Sequence, residues 1–227
     1  MRKLKYNSVK LLVLLGISCL TLASGAFAQN TNNEQDSASI HKLAIAPFIS
    51  VSNSAKQAQT LSDTLDCALS GLCYRNQETL APEERILTGL LRQGVAEYYG
   101  EALIPQPEVN QHFLTMLKAD KDTPRDIAVR LGQDLGVDHV MIGILWRYEQ
   151  RVGSPLSAER PASVSFNLFL LDVANKKLVW QSPFDKTQKA LSDNLFEAQL
   201  FFKSGIKWLS AEELAEFGIK KTLRTLK

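Results

Sequence analysis

Three runs between residues 138 and 188 leave this chain little choice of fold. Val140 to Leu145 (VMIGIL) is apolar enough for the middle of a buried sheet. Val164, Phe166, Leu168 and Leu170 alternate along 162–173, and Leu178 to Gln188 follows after the turn Ala174-Asn175-Lys176-Lys177. Period-two patterning with short turn signals between runs predicts three antiparallel strands in a meander. Around it the period changes. Ile86, Leu87, Leu90, Leu91, Val95 and Tyr98 share one helical face, so 83–99 reads as an amphipathic helix with Pro82 in its first turn and Gly100 at its end. Thr123-Pro124-Arg125-Asp126 is a helix start: a hydroxyl cap, a first-turn proline and an acid near the positive end of the helix dipole. Ile127, Leu131 and Leu135 follow as an apolar stripe, and Gly136 stops it. Helices that bury one stripe need a sheet to cover. The expected architecture is an α/β (α+β) sandwich: a mixed sheet with an antiparallel meander at 138–188, helices packed on it, and further C-terminal helices.

Other elements are read the same way. Leu43 to Phe48 (LAIAPF) is a strand with both faces apolar, and Pro47 marks its end or an edge. Ala55 to Leu65 has the composition of a short helix. Ala102 to Pro105 reads as a second short strand, Val109 to Leu117 as a helix and Arg151 to Pro161 as a loop. Asp193 to Lys203 reads as a helix, and Ser210-Ala211-Glu212-Glu213 is a capping box opening a last helix to about Leu226.

The amino terminus bears on compartment. Arg2, Lys3, Lys5 and Lys10 precede an apolar run, Leu11 to Leu22, too short for a spanning helix. Ala26-Phe27-Ala28 follows, so cleavage is expected after Ala28. The division is then 1–28 signal peptide, 29–40 polar lead-in without periodicity, and 41–227 a single domain. Gly16-Ile17-Ser18-Cys19 offers a rival, a poor lipoprotein box with Cys19 as the lipidated residue. Periplasmic export and an outer-membrane lipoprotein both stand, and membrane contact follows only from the second. The leader carries 4 of the 26 basic residues and none of the 24 acidic ones, so cleavage leaves a nearly neutral chain. That gives no electrostatic case for nucleic acid. Cys67 and Cys73 remain, and in an oxidising compartment they are expected to close a small disulfide loop worth about 2–3 kcal/mol.

Chemistry is sparse. There is no phosphate-cradling glycine motif, no nucleophile elbow and no zinc-protease signature. His41, His112 and His139 stand apart from one another and from the cysteines, without ligand spacing. No cofactor, metal or catalytic residue is indicated. What stands out is the end of the central strand, where Trp146, Arg147, Tyr148, Glu149 and Arg151 alternate aromatic with charged residues and Glu159 and Arg160 follow. One reading is a solvated strand end with weak ion pairs. The other is a partner-binding surface, because Trp, Tyr and Arg carry much of the energy at interfaces. On that reading, charge reversal at Arg147 and Arg151 is expected to weaken partner capture without unfolding the domain.

The strand Leu43 to Phe48, a helix over it, and Gly136-Val137-Asp138 running to Gly143, Arg147 and Tyr148 resemble a group of Gram-negative envelope proteins. That group includes the curli secretion lipoprotein, the outer-membrane lipoprotein activator of penicillin-binding proteins and the amino-terminal domain of the Tol-system propeller protein. The resemblance spans roughly residues 42–190. It implies an α/β sandwich in the periplasm with a non-catalytic role: docking to an envelope machine, or assembling into one, with self-association open. A small-molecule or lipid carrier, with an apolar pocket between helices and sheet, is the alternative.

Overall fold

The computed structural model describes residues 40–51, 61–72, 74, 79–117, 121–189 and 207–226. Its centre is β3 (His139–Glu149), which carries a partner on each side. On one side, β1 (Leu43–Ile45) and then β2 (Ile49–Ser50) run parallel to it, Leu43 opposite His139 and Ile49 opposite Ile144. On the other, β6 (Ser163–Asp172) runs antiparallel, and β7 (Lys177–Thr187) closes the meander. The sheet is therefore mixed, as the pattern required. The strand expected at 43–48 is broken at Ala46 to Phe48, where Pro47 cannot donate a ladder bond.

Both faces of the sheet are covered. One carries Ala44, Val140, Ile142, Ile144, Phe169 and Leu171, packed under α1 (Leu61–Asp66), α3 (Gln106–Met116) and α4 (Pro124–Leu135). The other carries Leu43, Ile45, Met141, Leu145, Phe166 and Leu168, under α2 (Pro82–Tyr99) and α5 (Ala211–Leu223). Strands buried on both sides must be apolar without interruption, which is why Val140 to Leu145 lacks alternation. Four aromatic rings cross the second face: Phe48, Phe166, Phe184 and Phe217, with successive centroids 5.9, 5.1 and 6.4 Å apart. Such pairs add about 0.5–1.5 kcal/mol each beyond burial.

The local signals for α4 hold in detail. Thr123 Oγ1 accepts the Asp126 N–H at 3.1 Å, the Asp126 carboxylate accepts the Thr123 N–H at 3.1 Å, and Gly136 ends the helix at φ 60°. On α2, Leu87, Leu91 and Val95 are buried, while Tyr98 stays 60 % exposed at the helix end. Three expectations are corrected. The strand at 102–105 is a 3₁₀ turn (Gly100–Ala102) followed by one bridge, Leu103 to Leu43. The helix expected from Val109 starts at Gln106, since Pro107 is tolerated in a first turn and does not delay it. The loop 151–161 contains a small hairpin, β4 (Val152–Gly153) and β5 (Ala158–Arg160). The helix expected at 193–203 lies outside the described residues, as do cleavage at Ala28 and lipidation at Cys19. No described helix is long and apolar enough to cross a membrane.

Candidate interaction surface

The far end of the sheet is built by a change of phase in β3. The β3–β6 register runs Leu145 opposite Phe166, then Arg147 opposite Ser165, leaving Trp146 as a bulge. Regular alternation would put Trp146 and Tyr148 on one face. Instead Trp146 packs against the core under α1, α3 and α4, and Tyr148 against the core under α2 and α5. Both rings are half-buried. Burial is the main cause holding the Tyr148 hydroxyl above its ordinary pKa, with the Glu212 and Glu83 charges adding to it.

Arg147 is also committed inward. Its Nε donates to Ser163 Oγ at 2.6 Å and its guanidinium pairs with Asp185 on β7. Ser163 Oγ lies 2.5 Å from Thr187 Oγ1. Arg151 donates to the Trp208 carbonyl and, at 3.4 Å, to the Gly153 carbonyl. Reversing either charge would break these bonds, so a stability cost accompanies either substitution. Glu149, Glu159 and Arg160 are exposed.

Beyond Glu149 the ladder is interrupted at Gln150-Arg151 on one arm and Pro161-Ala162 on the other, then resumes as β4–β5. The result is a bent hairpin, gripped by the segment that leads into α5. Gln188 is buried and bridges it: Nε2 donates to the Lys207 carbonyl at 3.1 Å, and Oε1 accepts the Leu209 N–H at 2.7 Å. Gln150 Oε1 accepts the Ala211 N–H at the start of α5, at 3.1 Å. Trp208 N–H donates to the Pro155 carbonyl at 2.7 Å. The apex, Ser154-Pro155-Leu156-Ser157, is closed by paired backbone bonds between Ser154 and Ser157, with the Ser154 hydroxyl accepting the Ser157 N–H at 3.0 Å. Leu156 stands 84 % exposed on this turn. Where the hairpin leaves the main ladder lies a groove of about 650 Å³ whose lining includes Arg147, Glu149, Gln150, Arg160, Ser163 and Thr187.

The structure thus brings Arg147, Glu149 and Arg160 to one groove, turns Trp146 and Tyr148 to opposite cores, and places Arg151 against Trp208. Gln150, Gln188, Leu156, Ser163 and Thr187 were missed. Glutamines and hydroxyls in a strand carry no sequence signal until the register is known. Cys67 is half-buried and has no disulfide to a described residue, and Cys73 lies outside the described residues. No group of three His, Cys, Asp or Glu side chains suited to a metal occurs among the described residues.

The sequence matches no family model and no curated protein. Among solved structures, the chain is similar to the PelC dodecamer from Paraburkholderia phytofirmans, with a TM-score of 0.38, 14 % identity, and 81 % of this chain and 84 % of that chain covered. It is similar to the LpoB C-terminal domain from Salmonella enterica, with 0.38, 12 %, and 67 % and 87 % covered. It is also similar to lipoprotein GNA1162 from Neisseria meningitidis, with 0.37, 14 %, and 73 % and 94 % covered.

Proposed function

We propose that the chain is an exported, non-catalytic cell-envelope protein that docks to other periplasmic or outer-membrane components through the far end of its sheet. The observation that supports this reading best is Leu156, 84 % exposed on a turn that backbone and serine hydrogen bonds hold in place. An apolar side chain on a preorganised turn loses little further freedom when a partner buries it. Glu159, exposed on the returning arm of the same hairpin, supplies a polar neighbour to such an anchor. The basic leader and Ala26-Phe27-Ala28 support export, with cleavage after Ala28 and the Cys19-lipidated form as the alternative route to the outer membrane. The carrier alternative gains nothing from the geometry, because Phe48, Phe166, Phe169 and Leu145 fill the space between helices and sheet.

The test is affinity capture of the tagged, exported protein from cross-linked envelopes, with Leu156→Asp and Glu159→Lys as variants. Both substitutions fall on exposed side chains and should leave the circular dichroism spectrum unchanged. An envelope protein recovered reproducibly with the parent and lost with both variants is the expected result. Equal recovery with both folded variants overturns docking through this end.

A further inference from the structure

We infer that the groove where the hairpin leaves the main ladder binds a short peptide as a zwitterion, its carboxylate on Arg160 and Thr187 and its ammonium on Glu149. This goes beyond docking through Leu156 and does not depend on it. Glu149 ends the outgoing arm of the hairpin, opposite Ser163, and Arg160 lies on the returning arm, opposite Val152. Both line the groove, yet neither side chain has a hydrogen bond or ion pair to a described residue. Arg147 beside them is already satisfied by Asp185 and Ser163. Two unlike charges facing one groove without meeting each other are complementary to a ligand that carries both. Arg160 presents a planar fork suited to a carboxylate, and Glu149 accepts from an ammonium.

Counting hydroxyl protons on the groove floor gives a third contact. Ser163 Oγ accepts from Arg147 Nε, and one proton lies between Ser163 and Thr187. Ser163 is only 3 % exposed, and its own proton has no acceptor other than Thr187. Either hydroxyl can donate across this contact; with Ser163 as the donor, Thr187 would keep its own proton for a ligand in the groove that it lines. In that arrangement the chain from Arg147 through Ser163 ends in a donor, which an anionic or carbonyl oxygen would satisfy. The volume, about 650 Å³, falls where sites take a ligand larger than a single amino acid. The Gln150 amide and the Thr187 hydroxyl can meet peptide bonds, and Val152 and Pro161 can meet small apolar side chains between them.

The probe is trialanine, titrated into the ¹⁵N-labelled full exported protein and followed by amide chemical shifts. Saturable shifts confined to residues 147–163 and 187 are expected, with a dissociation constant of about 1–10 mM for so small a ligand. N-acetyl-trialanine and trialanine amide should each bind about three- to tenfold more weakly. Arg160→Ala should abolish the discrimination against the amide, Glu149→Gln that against the acetylated form, and Thr187→Val should weaken the acetylated form further. Absence of saturable shifts, or equal binding of free and capped peptides, overturns the site. Leu156→Asp should leave the titration unchanged, so the groove and the docking surface stand or fall separately.

Discussion

At the scale of single residues, close approaches decide more than composition. A methyl group at Gly143 would lie 2.4–2.6 Å from three ring carbons of Phe48. The glycine in the middle of the buried strand is there because the Phe48 ring occupies its side-chain space. Gly143→Ala should cost about 1–3 kcal/mol in urea denaturation, and Phe48→Leu in the same chain should recover part of it. Glu84 is a second case. It is 3 % exposed, and its carboxylate accepts the Ser50 and Ala81 N–H groups at 3.0 and 2.8 Å. Burial is the largest influence on it and raises its pKa above the ordinary 4.5 despite those bonds. The folded state therefore holds this proton more tightly than the unfolded chain. The group's contribution to stability is full below 4.5 and declines as pH rises through the raised folded value. Glu84→Gln should remove that decline, and at neutral pH it should cost about 1–3 kcal/mol by setting an amide donor against a backbone donor. Urea midpoints across the acid range, wild type against variant, check both signs. Neither role was legible beforehand. Glu84 read as a first-turn acid on a helix, and its partner Ser50 is 34 positions away.

At the scale of elements, legibility follows locality. The start and stop of α4 were readable because Thr123, Pro124, Asp126 and Gly136 act within a turn of the residues they cap. Gly136→Ala places a side chain at φ 60°, and thermal unfolding should show a loss of about 1 kcal/mol. The meander was readable because its turns are short and its runs alternate. The tip was not. The bulge at Trp146 shifts every later side chain of β3 by one face, and a bulge depends on the partner strand, so strict alternation misplaces Tyr148. The β4–β5 hairpin has two or three residues per strand and a polar sequence, so it carries no periodic signal. Its support comes from Gln188, 19 and 21 positions from the groups it binds. Gln188→Ala leaves the Lys207 carbonyl and the Leu209 N–H without these partners. Amide hydrogen exchange should speed up at Leu209 and Ala211 while the centre of β6 keeps its protection.

At the scale of the whole molecule, β3 and β6 contribute side chains to both cores. Loss of either helical layer would expose strands that are apolar on both sides. Unfolding by urea should therefore be a single transition, with tryptophan fluorescence and far-ultraviolet circular dichroism coincident. A midpoint that differs between the two probes would mean that the layers melt independently. The architecture also separates duties along one strand. Val140 to Leu145 is locked between helices, whereas the β4–β5 hairpin beyond Glu149 leaves the main ladder and is held by side-chain and backbone bonds to the segment leading into α5. Residues 152–160 consequently behave as a cassette. Their sequence can drift, or be exchanged for another turn of the same length, under a penalty confined to the apex. A change of turn there would leave the double-sided core upstream in place, much as a tool head is changed on an unaltered shaft.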